Sequence, residues 1–270
     1  ISSSKCIIKE HIAENNGRVV AAKRIVMTIT NVDYDIIKNF YTWKSKRIGR
    51  MYCYKKGYLP TEFVKAILYL YEKKTKLKGV KGKEAEYLNS KEMLNSCYGM
   101  SVTNPLRDEF TYNGKWDTQN LTDKEKIETL EKYNTSKNRF LFYPWGVFVT
   151  AYARRNLFTG IYTVGNDYVY SDTDSIKLLH ADKYKDYFRE YNEHILYKLR
   201  CACKHHGIPF DMVEPVTVKG ITKPLGVWDF DGHYKHFKTL GAKRYMVEED
   251  DALTVGGKSY NYSLTVSGVN

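Results

Sequence analysis

Residues 61–99 constrain the chain more than any other stretch, because they carry two helical patterns separated by a glycine-containing turn. TEFVKAILYLYEKKTK opens with Thr61, a residue type that caps helices, and then places apolar side chains at 63, 64, 67, 68 and 71, the spacing of one helix face. KGVKGK interrupts that period. A second helix is expected from about Glu84 to Tyr98, so 61–99 reads as a helical hairpin.

The flanking segments follow a different period. Residues 5–30 hold strand-like runs around Asn-Asn-Gly and predict a hairpin, and TNVDYDIIKNFY predicts a short helix capped by Thr30 or Asn31. RIGRMYCYKKGY reads as strand. Residues 105–140 are polar, with two strand-like or irregular pieces and a charged helix, TDKEKIETLEKY, and look like an insertion. YPWGVFVTAYARRNLFTGIYTVG predicts a buried helix that leads into a hairpin, YVYSDTDSIKLLH at 168–180. Then Tyr184, Tyr187, Phe188, Tyr191 and Ile195 share one face of an amphipathic helix. Beyond it, VEPVTVKG, GVWDFDG, AKRYMVEE and YNYSLTVSG read as strands divided by Gly and Asp-Gly turns.

The chain has 43 basic and 31 acidic residues, a net charge of +12, which favours a polyanionic partner, nucleic acid first. Its 24 tyrosines add rings on which bases can stack. The longest apolar runs, such as AILYLY at 66–71, fall far short of the roughly 20 residues that span a bilayer, so no membrane association and a cytoplasmic location are expected. Five cysteines without a pairing pattern suit a reducing compartment. CACKHH at 201–206 lacks the paired spacing of a zinc site and reads as a helix end. The first residue is Ile1 and the last stretch, SLTVSGVN, has no polar tail, from which an excised fragment is expected.

Two segments carry chemistry. In a strand, residues two apart point to the same side, so Asp172 and Asp174 are expected side by side unless the turn splays them. Paired carboxylates suit a hard divalent cation such as Mg²⁺, and two such ions serve phosphoryl transfer. An exposed hairpin turn, or the Asp-x-Asp of a sugar transferase, would carry the same residues. On the second helix, Lys91, Asn95 and Tyr98 recur at i, i+4 and i+7 and share a face that offers a cation, an amide and a ring.

Taken in order, Lys-x-x-x-Asn-Ser-x-Tyr-Gly at 91–99, Tyr-x-Asp-Thr-Asp-Ser at 170–175 and the Lys-Arg-Tyr of GAKRYMVEE resemble the motifs of family B DNA polymerases. MLNSCYGMSVTNP and YPWGVFVTAYARR, the latter with Thr-x-x-Ala-Arg at 150–154, are similar to the protein-primed branch of small bacteriophages and linear plasmids. The resemblance covers nearly the whole chain and is strongest over 61–105, 140–178 and 222–248.

It implies an α+β fold with an antiparallel palm sheet, packed helices, helical-hairpin fingers and small β-rich insertions. Residues 1–60 would be the first insertion region, contacting the priming protein, with a return to the palm; 61–104 the fingers; 105–140 the second, processivity insertion; and 141–270 the palm. Asp174 is the implied principal metal ligand and Asp172 its supporting carboxylate, with two Mg²⁺ (or Mn²⁺) ions in the complete enzyme. Lys91 would pair with the incoming deoxynucleoside triphosphate, and Asn95, Tyr98 and Gly99 would line its pocket. Lys243 and Tyr245 would hold the primer terminus, and Thr150 and Arg154 the template strand. A further family lysine, four residues before the first motif, is Tyr87 here. No Asp-x-x-Ser-Leu-Tyr-Pro stretch, the family's first metal aspartate motif, lies between Ile1 and Lys91. That motif and a proofreading exonuclease are expected upstream, and a thumb downstream. The partners implied are a DNA template-primer, deoxynucleoside triphosphates and a terminal priming protein, in a bacterial cytosol. A DNA-binding module that kept the fold without catalysis is the alternative.

Overall fold

In the computed structural model the described residues are 1–107, 109–137, 139, 142–255 and 258–266. The chain divides into two compact units, one of residues 1–156 and 202–225, the other of 157–201 and 226–270. Among the described residues every sheet is small and antiparallel, and helices alternate with them along the chain, a mixed α and β architecture. Among the described residues, no helix is long and apolar enough to cross a membrane.

The first unit begins with β1 (Cys6–Asn15) and β2 (Arg18–Met27), paired across Asn16-Gly17. Both turn residues take positive φ, as a two-residue type I′ turn requires, so the Asn-Gly signal meant what it says. Helix α1 (Asn31–Phe40) starts at Thr30, whose hydroxyl accepts from the Asp33 amide while the Asp33 carboxylate reaches back, a reciprocal capping box. The expected strand at 47–58 does not form. Those residues form neither helix nor strand, and ring contacts at Tyr54 and Tyr58 pin them instead.

Helices α2 (Thr61–Leu77) and α3 (Glu84–Val102) form the expected hairpin, with α3 running four residues beyond Tyr98. The cap of α2 differs from expectation. Pro60 occupies the N-cap, and Thr61, already helical, spends its hydroxyl on His206 Nδ1 at 2.9 Å. Leu68 and Leu70 are buried on α2, and Ser90 and Ser101 on α3. The polar segment that follows gives a small hairpin, β3 (Glu109–Tyr112) with β4 (Trp116–Gln119), and a charged helix, α4 (Asp123–Thr135), with its own capping box at Thr122 and Glu125. Residues 108, 138, 140 and 141 of this stretch lie outside the described set.

Helix α5 (Tyr143–Val164) contributes to both units. Near its start, Gly146 packs on the end of α3 so closely that a Cβ there would lie 2.0 Å from Val102 Cγ1 and 2.9 Å from Ser101 Oγ. Glycine is the residue that lets two backbones approach this far.

The second unit holds β5 (Tyr168–Asp172) and β6 (Ser175–Leu178), helix α6 (Lys185–His206) up to Cys201, its last residues belonging to the first unit, and a three-stranded sheet of β7 (Tyr234–Gly241), β8 (Arg244–Val255) and β9 (Lys258–Val266). The aromatic stripe on α6 faces inward as expected, and Phe188 and Tyr191 meet Trp228 with ring centroids 5.8 and 6.1 Å apart. Two expected strands are absent. At 213–220, which belongs to the first unit, Pro215 has no amide to give, and a turn closes instead, with the Thr217 amide donating to Ile221 O and the Gly220 amide to Thr217 O, both at 2.9 Å. At 226–232, the Asn192 side chain takes the place of a neighbouring strand, since it accepts from the Trp228 amide at 2.7 Å and donates to the Trp228 carbonyl at 2.8 Å. Strand β7, which the pattern did not flag, pairs with β8 instead. Residues 267–268 of the last expected strand lie outside the described set.

Candidate active site

In the first unit the helical period does what the spacing asks. Lys91, Asn95 and Tyr98 emerge together from the outer face of α3, while Tyr87, Ser90, Leu94, Cys97 and Ser101 turn inward. Tyr98 is 40% exposed. Lys91 and Asn95 form no hydrogen bond or ion pair among the described residues, so their polar groups remain available. Gly99 has ordinary helical φ, and a Cβ there would meet nothing within 4 Å. The fold itself therefore has no steric need for glycine at 99, which leaves room beside Tyr98 for something outside the chain.

Thr150 and Arg154 lie on α5, and both are already engaged. The Thr150 hydroxyl donates to the carbonyls of Val147 and Gly146 at 3.0 and 3.1 Å, a bond inside its own helix. Arg154 forms a two-pronged pair with Asp33, Nε to Oδ1 at 2.8 Å and Nη2 to Oδ2 at 3.1 Å. Burial alone would push the Asp33 carboxyl up, but the Arg154 and Thr30 hydrogen bonds outweigh it and hold Asp33 below its ordinary value. Asp33 was not singled out from the sequence. An Asp three residues after a capping Thr is its only local signal, and that signal says nothing of Arg154.

In the second unit the Asp-x-Asp pair sits at the tip of the β5–β6 hairpin, but not as two strand neighbours. Asp172 is the last residue of β5, opposite Ser175, whereas Thr173 and Asp174 make the turn. Thr173 takes φ of +52°, and the Asp174 amide closes onto Asp172 O at 2.6 Å. The strand alternation that would align the two side chains therefore stops at Asp172 and does not reach Asp174. Asp174 is exposed, and Asp172 accepts from the Thr173 hydroxyl at 3.0 Å. Neither carboxylate has an ion-pair partner among the described residues. Two unpaired hard-oxygen donors on a tight turn fit a divalent cation such as Mg²⁺.

The hairpin meets a segment far away in sequence. The Lys243 amide donates to the Tyr170 hydroxyl at 2.9 Å, and the Tyr170 ring lies 5.3 Å from Tyr245 and 5.4 Å from Phe237. Phe237 and Tyr245 stack at 5.4 Å. Lys243 sits in the turn between β7 and β8 at φ of +56°, exposed, with no ion-pair partner among the described residues. Thus Tyr170, Phe237, Lys243 and Tyr245 form one cluster, and Asp172 and Asp174 follow Tyr170 at the tip of the same hairpin. Sequence reasoning missed Phe237 because β7 itself was missed.

The base of the hairpin is closed by Asp167. It accepts from the Tyr184 hydroxyl at 2.8 Å, contacts His180 Nδ1 at 3.0 Å, and pairs with Lys183 at 3.4 Å. The Tyr184 hydrogen bond and the neighbouring His180 hold its carboxyl below the ordinary range.

No protein-family model matches the chain, and comparison with curated proteins and with solved structures finds no significant match.

Proposed function

We propose that this chain carries the nucleotide- and primer-handling region of a protein-primed family B DNA polymerase. Its reaction is the template-directed transfer of a deoxynucleotide to a primer 3′ hydroxyl or to a hydroxyl of a priming protein. The observation that supports this reading best is the junction at Tyr170. Two motifs separated by about seventy residues, one acidic and one basic-aromatic, meet through a hydrogen bond and a ring cluster. A solvated hairpin turn would have no use for Lys243 and Tyr245 beside it.

Within this reading, Lys91 neutralises the triphosphate, Asn95 and Tyr98 hold sugar and base, and Gly99 leaves the pocket open. Asp172 and Asp174 are the carboxylates that hold divalent cations. When bound, Mg²⁺ or Mn²⁺ supplies charge stabilisation at the attacking and leaving oxygens. Lys243 and Tyr245 set the primer terminus near the aspartates. Thr150 and Arg154 face the template, and Arg154 must exchange Asp33 for a phosphate to do so. What the protein contributes is mainly positioning and electrostatics, as phosphoryl transfer requires.

A two-ion site would need a further carboxylate besides Asp172 and Asp174, and the family's Asp-x-x-Ser-Leu-Tyr-Pro motif would supply it. The test uses a polypeptide that carries this motif together with residues 1–270. In a primer-extension assay, Asp174→Asn is expected to reduce extension to background while DNA binding persists, because Asp174 is an exposed turn residue. Extension at the wild-type rate overturns the assignment. Residues 1–270 alone are expected to bind DNA without extending a primer; extension by them that Asp174→Asn abolishes would place the third carboxylate among them.

A further inference from the structure

Residues 41–60 link α1 to α2 without helix or strand, yet both ends are fixed. At the start, the Tyr41 hydroxyl donates to Val19 O at 2.8 Å and the Trp43 ring leans on Tyr34 at 5.9 Å. At the end, Tyr54 meets Phe148 edge-on at 6.2 Å and Tyr58 stacks on His205 at 3.7 Å. Between these anchors Ile48, Met51 and Tyr52 are 74%, 75% and 73% exposed. The stretch holds six basic residues, Lys44, Lys46, Arg47, Arg50, Lys55 and Lys56, and no acidic one. Lys46 lies over the Tyr34 ring, 4.9 Å from its centroid. The other five have no ion-pair partner among the described residues.

Anchoring is what separates this strap from an ordinary solvated charge run. Its backbone is held by rings at each end while its cations and one bare ring, Tyr52, are kept off the body of the protein. We propose that the strap at 41–60 binds single-stranded nucleic acid, with Arg50, Lys55 and Lys56 tracking phosphates and Tyr52 stacking on a base. Charge selects a polyanion, and the unpartnered ring selects one whose bases are unstacked, which a duplex does not offer. An acidic protein surface would answer the charge but leave Tyr52 without a role. The inference goes beyond the polymerase reading and does not depend on it, since it concerns binding without nucleotide or metal.

The test measures fluorescence anisotropy of a fluorescein-labelled oligothymidylate with the 270-residue chain in EDTA. Tyr52→Ala is expected to weaken binding about fivefold or more, the low end for losing a stacked base, and Tyr52→Phe to restore it. Replacing Arg50, Lys55 and Lys56 by Ala is expected to flatten the plot of log affinity against log salt by about two, at about 0.7 per phosphate contact. Photocross-linking of a 5-iodouracil oligonucleotide is expected at Tyr52. Three results overturn the proposal: Tyr52→Ala binding like wild type, a salt slope untouched by the triple substitution, or polyglutamate competing as well as unlabelled oligothymidylate. The last would make the strap a seat for an acidic protein. All four side chains are exposed, so loss of fold does not confound the reading.

Discussion

The outer face of α3 in the first unit and the cluster around Tyr170 in the second are assembled by opposite means. On α3, Lys91, Asn95 and Tyr98 align because a helix turns every 3.6 residues, and no other part of the chain is needed. Their side chains stay unengaged. Around Tyr170, alignment comes from a turn 73 residues further along, and the same groups proposed to hold a primer terminus also hold β5 against β7 and β8. A locally organised site costs the fold nothing when it is altered. A site organised by long-range contact cannot be altered without touching stability.

That contrast can be broken or sharpened by substitution. In the polypeptide that carries the upstream motif, Lys91→Ala has the largest expected effect of the three below. It should raise the apparent KM for nucleotide by about tenfold or more, the range for losing a charge-assisted hydrogen bond, with unfolding free energy unchanged within about 0.5 kcal/mol. Steady-state kinetics and denaturant melts read the two quantities, and a Lys91 variant that loses stability instead would collapse the distinction. Tyr170→Phe comes next. It keeps the ring contacts but removes the acceptor of the Lys243 amide, so stability should fall by about 1 kcal/mol and primer-terminus binding should weaken while nucleotide KM holds. A changed nucleotide KM with unchanged stability would place Tyr170 in the wrong group. Smallest is Gly99→Ala, which fills open space in a helix. It should stabilise the chain by about 0.5–1 kcal/mol while raising nucleotide KM. If KM does not move, the space beside Tyr98 is not used by nucleotide.

The parts of the fold legible in the sequence were those with local causes. The Thr30 cap, one of the two expected at that helix start, the Asn16-Gly17 turn, the α2–α3 hairpin and the tyrosine stripe on α6 each follow from a cap, a turn or a period. The failures share a different cause. Residues 226–232 look like strand, but the amide of Asn192 satisfies Trp228 in place of a neighbouring strand, and no local pattern announces that. Likewise 47–58 has strand composition without a partner to pair with. At the site, the motif residues were legible, but the engagement of Arg154 by Asp33 was not, because it joins positions 121 residues apart. Whether strand alternation reaches Asp174 depends on the turn taken at Thr173, which sequence left open between two outcomes.

Seen mechanically, the α2–α3 hairpin is a cantilever. Its root is clamped by the Phe63–Trp145 stack at 5.6 Å and by the glycine-thin seam where Val102 lies on Gly146, and the Tyr71 hydroxyl on Lys223 O at 3.0 Å ties α2 partway out. Its tip, between Leu77 and Lys83, carries two positive-φ glycines, Gly79 and Gly82, with nothing within 4 Å of the positions a Cβ would take. Lys91 stands partway out along the beam, about 16 Å from Val102 at 1.5 Å per residue. A rotation of about 10° at the root would carry its ammonium group by about 3 Å, the difference between touching a phosphate and missing it. With the Tyr71 tie released, such a lever arm would turn a small shift at the Gly146 seam into presence or absence of charge at Lys91.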